Sequence, residues 1–207
     1  KGGLAMANLL AAIQGSRPRM TAEQRRRTAV HEAGHAVLAV RLGIGTRVSL
    51  GFDPAGGGVT EVDTPGPTGF DTEAVIDAHL AFILAGRAAE ELRFGEAAAG
   101  CGGSGGSDLA VATDIAVQAE GRLGYGQDLP LVYLGGQSPR LDLAQVPWLC
   151  QAVAARLARA FARAKGILAE SQAELVDLAD ALLEKEHLED TEVRCIVEPS
   201  LQERRTA

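Results

Sequence analysis

A helical pattern covers residues 21–41, where Ala29, Val30, Ala33, Val37, Leu38 and Val40 recur at the spacing that gives one helix an extensive buried surface. Thr21-Ala22-Glu23-Gln24 has the make-up of a capping box at its start, Arg25 to Arg27 form its exposed entrance, and Gly43 supplies its stop. A second long pattern, 72–94, buries Val75, Leu80, Ile83, Leu84, Ala88 and Leu92, with Gly86 leaving room for close packing against the first helix. Helical spacing resumes from Asp108 to about Arg122, then over 146–165, 171–186 and a short final stretch, 191–196. The stretch 171–186 opens with a second capping-box sequence, Ser171-Gln172-Ala173-Glu174, and carries its stripe on Leu175, Leu178, Leu182 and Leu183. Strand patterns are confined to 47–51 and 59–62, flanking the Gly56-Gly57-Gly58 turn region; Leu131-Val132-Tyr133-Leu134 reads equally as a short strand or as an extended loop packed on the core.

These elements predict a mainly α fold, a multi-helix array with a small β ribbon or sheet. The 207 residues suffice for one domain with a substantial core, with 146–207 as a helical C-terminal part and 1–20 as a linker from an upstream region. Only 4% of the chain is aromatic, so the core is expected to be aliphatic and its helices closely approaching. A net charge of −7 disfavours nonspecific nucleic-acid binding, because the nucleic-acid backbone is negative as well. Cys101, Cys150 and Cys195 are few, scattered and odd in number, which fits a reducing compartment better than a disulfide scaffold. There is no apolar run of roughly twenty residues and no phosphate-binding Gly-x-x-x-x-Gly-Lys-Ser/Thr motif. Coupling to ATP, or a membrane anchor, therefore has to come from outside this stretch, and the start at Lys1 suggests a fragment.

The chemistry concentrates in His31-Glu32-Ala33-Gly34-His35. Histidines four apart on a helix stack on one face and offer two imidazoles to a zinc ion, with the adjacent Glu32 aimed to act as general base. Zinc with two imidazoles needs a third protein ligand, leaving a fourth position for the water that is activated. Asp108 is the best candidate, since Ser107-Asp108 opens a helix directly after the glycine-rich loop 100–106, which lets a helix-terminal carboxylate approach closely. Taken alone, an acidic residue at that place is ordinary first-turn electrostatics, and Asp77, His79, Glu90, Glu91 and Asp114 stay open as competitors.

At this point the chain resembles the peptidase domain of the FtsH family of ATP-dependent zinc metalloproteases. The resemblance rests on His31-Glu32-Ala33-Gly34-His35-Ala36 and on the block Leu84-Ala85-Gly86-Arg87-Ala88-Ala89-Glu90-Glu91-Leu92, in which Ala85 replaces the family's first glycine. It rests also on Ser107-Asp108-Leu109, where Ser107 stands for the usual asparagine, and on the C-terminal segment 178–188. The resemblance implies a zincin-like helical array and a zinc endopeptidase with His31, His35 and Asp108 as metal ligands and Glu32 as the catalytic base. Val59, Thr60, Glu61 and Val62 fall in the region of the family's active-site edge strand, where an extended peptide could add as a further strand; the residues themselves fit a plain surface hairpin equally well. It further implies unfolded polypeptide substrates, a homo-oligomer of six subunits, an ATPase domain upstream or in a partner, and a cytoplasmic or cytoplasm-facing site, membrane-associated only through a missing segment. The rival readings are a peptidase working without a motor and a catalytically inactive, zinc-stabilised oligomerisation module.

Overall fold

The computed structural model describes residues 20–45, 47–53, 57–63, 71–135, 143 and 146–198, so the expected linker lies outside the described residues apart from Met20. The chain runs α1 (Ala22–Leu42), β1 (Val48–Asp53), β2 (Gly57–Val62), α2 (Glu73–Ile83), α3 (Ala85–Phe94), a 3-10 turn (Ala99–Cys101), α4 (Asp108–Gly121), α5 (Pro147–Glu170), α6 (Gln172–Lys185), β3 (His187–Leu188) and α7 (Asp190–Val197).

The centre of the molecule is α1, and its ends are set locally. Thr21 Oγ1 accepts from the Gln24 amide (3.2 Å) while the Thr21 amide donates to Gln24 Oε1 (2.8 Å), the reciprocal box expected there. Gly43 turns the chain at φ 66°, and the Ile44 amide donates back to the Ala39 carbonyl (2.8 Å). Every residue from Val30 to Val40 except His31 is buried, because α1 is enclosed by α3 and α6 with the sheet against it. The approach to α3 is close: a Cβ on Gly34 would stand 2.7 Å from Ala89 Cβ and 2.8 Å from the Ala85 carbonyl oxygen.

The sheet is antiparallel, in the order β2-β1-β3, with Leu50 opposite both Thr60 and Leu188. Strand β3 is two residues long, too short to leave a periodic signal, and sequence reasoning missed it. One apolar cluster is built on α1, β1, α3, α6 and α7, with Ala81 of α2, Ala164 and Leu168 of α5 and Leu188 of β3 joining it, and another joins α2, α4 and α5; Phe82 and Phe161 pack against both. Each wholly buried leucine in them, such as Leu38, Leu178 or Leu149, contributes about 1.5–3 kcal/mol.

Several expectations are corrected. The helix expected over 72–94 breaks at Leu84 (φ −87°, ψ 0°), and α3 beyond it packs against α1; Val75 and Leu92 are exposed rather than buried. The second capping box does not form: Ser171 has φ −118° and ψ 34° and makes no side-chain cap, because α5 runs on to Glu170 and leaves no room for an extended entry. Glu174 pairs instead with Arg41 (2.8 Å). Of the two readings for residues 131–134 the loop is found, but little of it packs on the core: Leu131 is 98% exposed and only Leu134 reaches inward, over Gly121.

A buried cation ties α2, α4 and α5 together. Arg156, 1% exposed, donates to Glu120 (2.6 Å), Asp77 (2.6 Å), Glu73 (2.8 Å) and the Tyr125 carbonyl (2.7 Å). These partners outweigh the penalty of burial and push its pKa above the ordinary arginine range.

Candidate metal centre

His31 and His35 lie one turn apart on α1, ring centroids 4.9 Å from each other. Each Nδ1 is committed to a partner that only accepts. His35 Nδ1 donates to the Phe82 carbonyl (2.9 Å), which lies in the last turn of α2. His31 Nδ1 donates to Glu90 Oε1 (2.9 Å), and Glu90 is held in turn by the Ala98 amide on Oε2 (2.8 Å), with Arg27 at 3.7 Å. These bonds fix the tautomers of the neutral rings and turn both Nε2 lone pairs toward Asp108, the first residue of α4.

The convergence is tight. His31 Nε2 stands 3.0 Å from Asp108 Oδ2 and 3.2 Å from His35 Nε2, and His35 Nε2 is 3.4 Å from Asp108 Oδ2. Three electron-rich atoms at that separation repel unless a positive charge sits among them. Ligand atoms around tetrahedral zinc, at bonds of about 2.0–2.2 Å, stand about 3.3 Å apart, and a two-imidazole, one-carboxylate set suits that ion. Among the described residues this is the group of histidine and carboxylate atoms able to hold a metal.

The electrostatics carry the same demand. Burial of His31 opposes its charged form, but its hydrogen bonds to Asp108 and Glu90 and the nearby Glu32 carboxylate overcome this and raise its pKa to about 10. Burial would raise Asp108, yet the two histidines hold it far below the usual carboxylate range. Glu90 is likewise lowered against its burial by His31, the Ala98 amide and Arg27. A proton on His31 is what this arrangement recruits when no metal is bound.

Two glycines make the geometry feasible. A Cβ on Gly86 would overlap Nε2, Cδ2 and Cε1 of the His31 ring, and one on Gly58 would overlap Cγ and Oε1 of Glu32. Glu32 is 7% exposed, and its Oε2 accepts a 2.6 Å hydrogen bond from the Thr60 hydroxyl.

The other candidates for third ligand lie elsewhere. Asp77 belongs to Arg156, and Glu91 to Arg87 (3.1 Å) and Lys165 (3.3 Å). His79 is half-buried beside the Phe82 ring (5.7 Å), its pKa lowered by that burial, and Asp114 lines a groove with the glycine-rich loop, outside the cluster. Glu90, weighed as a ligand, is the outer partner of His31. Sequence reasoning missed that role, although the habit of metal-bound histidines of donating their second N–H to a carboxylate was a usable signal. It also missed the Phe82 carbonyl, which has no side-chain signature at all.

On a mainly helical array with a small antiparallel sheet, a His-His-Asp zinc centre with a buried glutamate between the two histidines in sequence defines a zincin-type zinc metalloendopeptidase domain. Residues 18–196 match the model of Peptidase family M41, and the chain belongs to that family. It is 34% identical over 189 residues to the ATP-dependent zinc metalloprotease FtsH 1 of Sorangium cellulosum, covering 84% of this chain and 30% of that protein. It is 33% identical over 191 residues to the ATP-dependent zinc metalloprotease FtsH of Thermobaculum terrenum, covering 84% and 29%. A rice relative, ATP-dependent zinc metalloprotease FTSH 9, chloroplastic/mitochondrial, is 30% identical over 180 residues, covering 85% and 22%. The chain thus spans less than a third of the length of these relatives. Among the described residues no helix is long and apolar enough to cross a membrane.

Proposed function

We propose that this chain is the proteolytic part of an ATP-dependent protease, cutting peptide bonds in unfolded or motor-delivered polypeptides, with Glu32 as its general base. The observation that carries the reading is the buried Glu32 carboxylate, adjacent in sequence to His31 and anchored by Thr60. Zinc held by His31, His35 and Asp108 would polarise the scissile carbonyl and acidify a water molecule. Glu32 accepts that water's proton and returns it to the leaving amine, so that no unstable amide anion is expelled. Glu90 and the Phe82 carbonyl keep both imidazoles facing inward through the cycle.

The free edge of β2 supports binding of an extended peptide along Val59, Thr60, Glu61 and Val62, since among the described residues no strand pairs with it. The motor belongs to this reading by likeness to the relatives named ATP-dependent, which are three times longer or more, and the six-subunit ring by the motifs that resemble the FtsH family. A cytoplasm-facing site goes with it.

The test pairs metal analysis with cleavage of an unfolded fluorescent protein by the wild type and Glu32→Gln. One zinc in each with turnover in the wild type alone is expected. Equal turnover by metal-loaded Glu32→Gln would remove Glu32 from the mechanism. Zinc in both with no turnover in either, even with an ATPase partner supplied, would favour the inactive module.

A further inference from the structure

Building on the assignment of Glu32 as base, we infer that Thr60 is a positioning residue that couples pairing of the substrate strand to the orientation of that base. Two independent features of β2 meet at this residue.

The first is side-chain contact. The Thr60 hydroxyl lies 2.6 Å from Glu32 Oε2 and 3.2 Å from the Glu32 carbonyl oxygen. A hydroxyl has one proton to give, and the short contact to a charged acceptor takes it, fixing one carboxylate oxygen and leaving Oε1 as the basic atom. Gly58, two residues earlier on the same face of the strand, lacks the Cβ that would displace Glu32 from this position.

The second is the direction of the backbone. In an antiparallel ladder, successive residues of a strand point their N–H and C=O groups to opposite sides. The Asp63 amide donates to the Arg47 carbonyl (3.0 Å), so position 63 faces β1, and with it Glu61 and Val59 by alternation. On β1 the Phe52 amide donates the other way, to the Glu186 carbonyl (3.2 Å), which agrees with that phase. Gly58, Thr60 and Val62 therefore present their main-chain groups to the free edge. A peptide adding to β2 bonds to the Thr60 backbone while the Thr60 side chain holds the carboxylate that must act on that peptide. The distance from the paired strand to the base is set within one residue.

The experiment compares wild type, Thr60→Val and Thr60→Ser in the zinc-loaded full chain, with a fluorescein-labelled unfolded protein as substrate and Glu32→Gln as the inactive reference. Valine keeps the shape and strand preference of threonine while deleting the donor. Expected is a fall in kcat of about 10-fold to 100-fold for Thr60→Val, the scale of one hydrogen bond to a charged group, with KM and zinc content unchanged. Thr60→Ser should recover kcat to within about 3-fold of wild type, since it restores the donor. Unchanged kcat in Thr60→Val, or equal impairment of Thr60→Ser and Thr60→Val, would overturn the inference, as would a change confined to KM or a loss of zinc. If Thr60→Val does not fold, Thr60→Ser decides alone: a loss of kcat beyond that range overturns it. Turnover by Glu32→Gln would instead remove the assignment on which it rests.

Discussion

Gly86→Ala is the sharpest test of how the centre is built, because two opposite effects act at one carbon. Gly86 is the second residue of α3, where alanine is favoured over glycine by up to about 0.8–1.0 kcal/mol of helix propensity. Against this, the new methyl overlaps three atoms of the His31 ring, which would have to withdraw by on the order of 1 Å to reach ordinary contact. The ring is held by Glu90 at 2.9 Å and Asp108 at 3.0 Å, so withdrawal breaks both bonds. Overpacking of this kind costs about 1–3 kcal/mol and each hydrogen bond lost to a carboxylate about 1.5–3 kcal/mol, so, net of the helix gain, metal-free stability should fall by roughly 3–8 kcal/mol. Zinc ligation tolerates only about 0.2 Å of error, so affinity for the ion should fall by at least about 100-fold. The control is Gly166→Ala, on an exposed face of α5 with nothing within 4 Å of the added methyl. It should add about 1 kcal/mol of stability, or about 2–4 °C in Tm, and leave zinc affinity unchanged. Chelator competition and thermal melts with and without zinc read both quantities. Zinc affinity of Gly86→Ala within about 3-fold of wild type would refute the claim that this glycine makes room for the ligand ring.

Asp108→Ala should weaken zinc retention with the fold largely kept, since Asp108 is the first residue of α4 and belongs to neither apolar cluster; unchanged affinity in a chelator titration would contradict its place among the ligands. Arg156→Met should cost about 3–5 kcal/mol in urea denaturation, because it strands Glu120 in the core, and Arg156→Met with Glu120→Leu should recover much of that; a loss below about 1 kcal/mol would show the network to be dispensable. In the metal-free protein, His31 has a folded pKa of about 10 against an ordinary 6.5, so its contribution is complete below about pH 6.5 and disappears as pH rises through about 10. Asp108, lowered from 3.8, contributes above its ordinary value and loses that contribution only as pH falls through its depressed one. Metal-free Tm, relative to His31→Asn, should therefore decline from pH 6.5 to 10, whereas zinc, taking the same lone pair, should remove the decline; a flat metal-free difference would count against the His31–Asp108 pair.

Much of the centre was legible without coordinates. His31, Glu32 and His35 follow from a fixed four-residue spacing on a helix whose Thr21 box and Gly43 stop are both written locally. Asp108 was a candidate because a helix start after a glycine run is also a local signal. The sequence could not rank it above Glu90 by residue chemistry, since both are carboxylates and what separates them is which imidazole nitrogen each one meets. The kink at Leu84 left no trace in the apolar spacing, because Leu80, Ile83, Leu84 and Ala88 are buried whether or not the axis bends. Ser171 had the right composition for a cap and lost to tertiary packing at the α5–α6 junction.

By itself the sequence determined what depends on neighbours along the chain: the helix that carries the motif, its caps, the hairpin, the aliphatic character of the core and the acidic surface. Only the tertiary structure decided what depends on direction across the chain. Phe82 turns a backbone carbonyl toward His35, Glu90 reaches His31 from 59 residues away, and Thr60 spans 28 residues to hold Glu32. Spacing encodes which face of an element is buried, but the partner across the interface is fixed by how α3 and β2 are docked on α1. That docking is as close as it is because Gly34, Gly58 and Gly86 carry no side chain.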